Sequence, residues 1–182
     1  MKTVTVEQFR NFGPCWLETV KGRGKFARSA AIRNEWTALD VLNLPDVSAQ
    51  DKLWSVLREE FIDAPVLHEY ACRCAEYALS FVASPDPRSI AAIVAKRKWL
   101  HGEITDAELY AAWDVARDAA HDATMYVAMY AALNAAMAAA RDAASNAAWY
   151  AALAVTRAAT WDAAREHEVE ILRELLMEGD EQ

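Results

Sequence analysis

From Glu103 to Glu178 the chain has neither glycine nor proline, and 26 of the 60 residues from Asp106 to Arg165 are alanine. Alanine is the strongest helix former, and glycine and proline are the residues that interrupt helices, so this stretch dictates a helical second half. A single rod is excluded by size. At 1.5 Å per residue its 76 residues would reach about 110 Å, whereas a compact chain of 182 residues is only about 40 Å across. The segment must double back without the usual corner residues. Short polar side chains that compete with the helical backbone are the next choice. Two clusters fit, His121-Asp122-Ala123-Thr124 and Ser145-Asn146, with Asn134 a weaker third. Breaks there predict helices of roughly 16, 21 and 32 residues. The rival is one long helix serving a dimer, but the apolar spacing keeps no heptad.

The earlier sequence reads as shorter helices between clear stops. Thr5-Val6-Glu7-Gln8 has capping-box spacing and predicts a helix through Phe12, ended by Gly13-Pro14. Pro14 suits the first turn of a further short helix holding Cys15, Trp16 and Leu17. Ala30, Ile32, Trp36, Leu39 and Leu42 run at mostly helical spacing up to Pro45. Ser48 to Asp51 caps an amphipathic helix whose stripe is Leu53, Trp54, Leu57 and Phe61, with Lys52, Arg58, Glu59 and Glu60 outward. Asp63-Ala64-Pro65 opens a helix with a broad buried face from Val66 through Phe81 to Val82. Ser84-Pro85-Asp86-Pro87 breaks the chain, Ile90, Ile93, Val94 and Leu100 mark the next helix, and Gly102 stops it. Thr105-Asp106-Ala107-Glu108 is another capping box, launching the alanine-rich region. No period-two strand is evident.

The expected fold is therefore all-α. It is a compact multi-helix bundle in one domain, with irregular short helices over 1–47, amphipathic helices over 48–102 and closely packed Ala-rich helices over 103–182. Alanine faces let helix axes approach to the near end of the usual 8–10 Å range. Large residues such as Tyr110, Trp113, Met125, Tyr126, Met129, Tyr130, Leu133, Met137, Trp149, Leu153 and Trp161 are expected to anchor the seams.

Composition narrows the function classes. The net charge is -8, so phosphate-rich partners are repelled and direct nucleic-acid binding is disfavoured. No uncharged, strongly apolar stretch is long enough to span a membrane, and Met1-Lys2-Thr3-Val4 lacks a secretion signal, which favours a cytoplasmic protein. The three cysteines include Cys72 and Cys74, two apart on a helix and pointing different ways, so a disulfide or shared zinc is not expected.

Charge is unevenly placed. Residues 1–33 carry seven Lys or Arg against Glu7 and Glu18, and residues 166–182 carry seven acids against Arg173. The simplest interpretation is a solvated basic start and an acidic, fraying end. The sharper one makes Arg23 and Lys25 in the Lys21–Lys25 loop, and Glu166, Glu168, Glu170, Glu174 and Glu178 near the end, contacts to a partner. The loop lacks the spacing and the Lys-Ser or Lys-Thr of a phosphate loop. Lys96-Arg97-Lys98-Trp99, with His101 and Arg88, is the best basic patch and a candidate partner contact, in which Trp99 could stack on a base or pack into a protein groove, although cations also suit a helix C-terminus for structural reasons.

Candidate chemistry is sparse. Asp114, Asp118 and Asp122 are spaced by four residues, beside Arg117 and His121. This could bind a divalent cation or form a carboxylate–histidine pair, but the paired-helix metal arrangement needs a second Glu-x-x-His copy that is absent from the sequence. A solvated or Arg-paired stripe is the simpler explanation of the acids. Arg117-Asp118-Ala119-Ala120, Arg141-Asp142-Ala143-Ala144 and Trp161-Asp162-Ala163-Ala164 echo one another at unequal spacing, so they are not a solenoid repeat. The histidines His68, His101, His121 and His167 are scattered. No nucleophile context is recognisable, no cofactor is implied, and a non-enzymatic protein is the expectation.

Tyr70-Ala71-Cys72-Arg73-Cys74-Ala75, Leu109 to Ala120, Ala139 with Arg141 to Ala144, and Trp161 to Arg165 give an order of elements that resembles a family of alanine-rich, all-helical immunity proteins of bacteria and phages. The resemblance covers about residues 48–176. It implies a stoichiometric inhibitor with a protein partner, either a toxin or a host defence complex, the latter in the manner of an anti-CRISPR protein. Carboxylates presented where phosphates would lie could occupy a nucleic-acid channel of such a complex. Alternatives are a metal-binding or hydrolytic helical enzyme using His121, Asp118 and Asp122, or a structural oligomer. The protein itself is expected to be a monomer or homodimer.

Overall fold

Two threonines, each ending a strand and starting a helix, organise the N-terminal part of the structure, a computed structural model describing residues 2–14, 17, 34–122 and 161–180. Strand β1 (Thr3–Thr5) pairs antiparallel with β2 (Glu35–Thr37), with Val4 opposite Trp36. Thr5 caps α1 (Val6–Asn11): its hydroxyl accepts from the Gln8 amide, and the Gln8 side chain accepts from the Thr5 amide at 2.8 Å. Thr37 and Asp40 repeat the device at α2 (Ala38–Leu42). A helix beginning at Ala38 cannot include Trp36, so the expected helical run from Ala30 gives way to a strand there. The absence of strands is corrected accordingly. Gly13, at φ 67°, takes the left-handed conformation after α1 that a side chain disfavours.

The ribbon delivers Val4 and Trp36 to an aromatic core. Phe9 stacks on Trp36 at 6.2 Å and meets Phe61 edge-on at 6.1 Å, and all three rings are buried. The α3 helix (Ala49–Val56), capped by Ser48, is shorter than its apolar stripe suggested. Leu57 and Phe61 are still buried, but they reach the core from the turns after α3. Arg58, expected outward, lays its guanidinium 4.2 Å above the Phe12 ring and 5.0 Å from that of Trp54.

Helix α4 (Ala64–Ser80), with Pro65 in its first turn, is the central element. Leu67, His68, Tyr70, Ala71, Cys72, Cys74, Ala75, Ala78 and Leu79 are buried, on more than one helical face. Both cysteines are free. The helix is flanked by α5 (Pro87–Leu100) and by α7 (Trp161–Asp180). Phe81, expected on the buried face, is 44% exposed, while Val82 at its end packs partly buried against the core.

Helix α5 packs on α6 (Asp106–Asp122), the most extensive helix–helix contact among the described elements. Ala92, Leu109 and Ala116 are buried along this seam, with Ala95, Trp99, Ile104 and Trp113 beside them. Small residues here permit close approach, as alanine composition requires. The pair is antiparallel: Arg88 at the start of α5 meets Asp122 at the end of α6 at 2.8 Å, while Trp99 Nε1 donates to Asp106 at 2.8 Å. Gly102, at φ 71°, turns the chain between them. Thr105 and Glu108 form the expected capping box. Tyr110 is not a buried anchor, being 63% exposed, and Ile90 and Val94 are also exposed.

Helix α7 carries the acidic end of the chain and does not behave as a fraying tail. Ala164, Val169, Ile171, Leu172, Leu175 and Leu176 join the main core, against α4, α3 and α2. The fold is thus all-α and compact, with one short ribbon among the described residues. No helix among the described residues is long and apolar enough to cross a membrane. The corner at Ser145-Asn146, the minor candidate Asn134, the large residues from Met125 to Leu153, the short helix at Cys15 and Trp16, and the echo at Arg141 lie outside the described residues.

Candidate functional site

The basic patch at the end of α5 dissolves when its neighbours are placed. Lys96 falls in register with Ser89, Ala92 and Ile93, the buried side of α5, and is itself fully buried. Its ammonium lies 4.2 Å from the centre of the Trp99 ring, a cation–π contact that helps to offset desolvation. Trp99 is further committed to Asp106 and to an edge contact with His68, with ring centres 5.6 Å apart. Lys96 is therefore buried, and Trp99 is half-buried between α4 and α6.

Arg97 is likewise occupied. Its Nε donates to Glu69 Oε2 at 3.0 Å, its Nη2 donates to Glu69 Oε1 and Glu76 Oε2 at 2.9 Å each, and Nη1 also reaches Glu76. These carboxylates push the guanidinium pKa above its ordinary value. Arg97 thus ties α5 to α4 through both carboxylates. Arg88 is shared between Asp86 and Asp122. His101 sets Nδ1 2.7 Å from the Arg97 carbonyl, so that nitrogen carries the proton. Lys98 alone of the four patch residues is exposed. Arg23 and Lys25 lie outside the described residues.

The acids of α7 separate into three groups. Glu166, Glu170 and Glu174 are exposed and recur every four residues, forming one row on the outer face. Glu170 pairs with Arg173, whose Nη2 donates to the Leu42 carbonyl at 2.8 Å. Lys52 on α3 lies near Glu166 and Glu170. Burial lowers its pKa, and those two carboxylates partly offset the effect. Glu178 pairs with Arg73 of α4 at 2.7 Å. Glu168, expected on the same surface, is fully buried with Arg165 3.6 Å away. The signal was available: Ala164, Glu168, Ile171, Leu172 and Leu175 share helical spacing, which puts Glu168 in the middle of an apolar stripe.

Two carboxylates of the α6 row are ion-paired, while Asp118 and His121 are exposed. Asp114 pairs with Arg117 and Asp122 with Arg88. No group of three metal-ligating side chains occurs among the described residues. His68 is buried and held neutral, its pKa lowered to about 4 by burial and then by Lys96. His167 packs on Tyr77 with ring centres 4.1 Å apart.

A groove of about 340 Å³ between α4 and α5 was not foreseen. Leu79, Val82, Pro85, Ile90, Ile93 and Val94 line it, with Glu76 and Ser80 as its polar members. Both are engaged: Glu76 accepts from Arg97, and Ser80 Oγ donates to the Tyr77 carbonyl at 2.7 Å. Its chemistry is therefore that of an apolar depression. Comparison with protein-family models, with curated proteins and with solved structures found no match.

Proposed function

We propose that the protein is a stoichiometric, non-catalytic binding protein that docks on a basic partner surface through the outer face of α7, in the manner of an immunity protein or a phage anti-defence inhibitor. The observation that supports this most directly is the row Glu166, Glu170 and Glu174, exposed on a helix whose opposite face is fixed in the core. Successive carboxylates in the row are about 6 Å apart along the axis. A row on a rigid helix presents its charges with little ordering cost on binding, unlike acids on a loose tail. The overall charge of -8 adds long-range attraction toward a basic partner, a toxin or a nucleic-acid-handling defence complex.

The test is titration of the protein encoded beside this gene, a toxin or a phage target, with wild type and the Glu170→Lys/Glu174→Lys double variant. The reading predicts at least a tenfold loss of affinity, and a wild-type affinity that weakens as salt rises. Unchanged affinity in the double variant removes the α7 face from consideration.

A further inference from the structure

At the centre of the buried face of α7 sits a polar cluster that the docking face does not use. Glu168 is fully buried, and neither carboxyl oxygen has a hydrogen-bond partner among the described residues. From α4 it is faced by Tyr70 and Cys74, one helical turn apart and both fully buried. On its own helix, Arg165 is 5% exposed and places Nη1 3.6 Å from Glu168 Oε2, too far for a good hydrogen bond. Among the described residues, Arg165 is the charge set against Glu168. Lys52 of α3 lies instead by Glu166 and Glu170, and Arg173 by Glu170 and the α2 carbonyl of Leu42.

An ionised carboxylate removed from water needs hydrogen bonds or a close counter-charge to offset its lost hydration. Here it has one loose Arg contact, and a hydroxyl and a thiol that are themselves neutral. The protonated carboxyl sheds most of that penalty. We propose that seating α7 on α4 is coupled to proton uptake at Glu168, so that the helix bearing the acidic row is held more firmly in mild acid than in mild base. The regulatory consequence rests on the reading of α7 as the partner-bearing helix, whereas the coupling belongs to the isolated protein.

Burial pushes the Glu168 carboxyl up to about 8, against a smaller opposing pull from Arg165. An unfolded glutamate titrates near 4.5. Between these values the folded chain holds a proton that the unfolded chain has released. Stability from this group is therefore fully present below about pH 4.5, declines as pH rises toward about 8, and levels off beyond. Within that window the folding constant changes up to about tenfold per pH unit.

The test is urea denaturation of wild type, Glu168→Gln and the surface control Glu166→Gln from mildly acidic to mildly basic pH. Glutamine keeps the shape and cannot ionise. Relative to Glu168→Gln, the wild-type folding constant should fall at least about tenfold across the range, while Glu166→Gln tracks the wild type. A ratio that stays constant, or rises with pH as a stabilising ion pair to Arg165 would make it, overturns the proposal. Should Glu168→Gln not fold, carboxyl-carbon NMR of the ¹³C-glutamate-labelled wild type decides. A Glu168 resonance still protonated near neutral pH supports the coupling, and one already ionised in mild acid overturns it. Neither readout involves a partner, so this result and the charge-reversal result stand or fall separately.

Discussion

Truncating Leu172 to alanine should destabilise the whole molecule and not merely loosen its end. Leu172 is fully buried, in the segment where α7 meets α4, α3 and α2. Removing a buried leucine side chain costs its transfer free energy plus that of the cavity left behind, here taken as about 3 kcal/mol. Alanine is at least as good a helix former as leucine, so the loss cannot be assigned to helix propensity. Against a total stability of about 5–15 kcal/mol this is a large fraction. For a domain of this length it lowers the melting temperature by about 6–12 °C. Met177, on the same helix but 52% exposed, supplies the matched control: Met177→Ala should stay within about 0.5 kcal/mol of wild type. Urea unfolding followed by tryptophan fluorescence and by far-ultraviolet circular dichroism measures both. A Leu172→Ala variant within about 1 kcal/mol of wild type, or no worse than Met177→Ala, would refute the placement of α7 in the core.

Burial raises both central thiols, Cys72 to about 12 and Cys74 well above its ordinary value, so both stay protonated at neutral pH. Native protein should accordingly label at Cys72 and Cys74 at least about a hundredfold more slowly than urea-unfolded protein, read by peptide mapping after a thiol reagent; rapid native labelling of either would contradict their burial. Arg97→Met should cost about 1–2 kcal/mol, because it strands Glu76 and leaves Glu69 only its 3.4 Å contact to Arg73, with the magnitude reduced by their partial exposure. Arg97→Lys should recover less than half of that in the same urea assay, since one ammonium cannot reproduce the forked contacts to two carboxylates. Full recovery by lysine would show that charge alone matters there.

Local signals carried well into three dimensions wherever a single residue type dictates backbone geometry. The caps at Thr5, Ser48 and Thr105, the break at Ser84–Pro87 and the turn at Gly102 were legible because capping and left-handed turns have few chemical solutions. The strand at Trp36 was not. Its apolar neighbours fit a helical period, and only the reciprocal bonds of Thr37 and Asp40 force a helix start after it. The basic patch misled for a different reason: a charge run read along the sequence contains no information about which carboxylates another helix brings. Lys96 could have been placed by counting four residues from Ala92, and Glu168 by counting four from Ala164. In both cases charge obscured a buried position in the helical pattern. The groove beside Leu79 and Ile93 depends on how α4 and α5 cross, which no single segment encodes.

The decisive measurement is native-state hydrogen exchange of the α7 amides from Ala164 to Leu176, compared with those of α4 from Leu67 to Ala78. If α7 is core on one face and a rigid acidic row on the other, both sets exchange only through global unfolding, with matching protection. Protection of α7 lower than that of α4 by several orders of magnitude would mean that the helix detaches by itself, and the fixed carboxylate row would not exist.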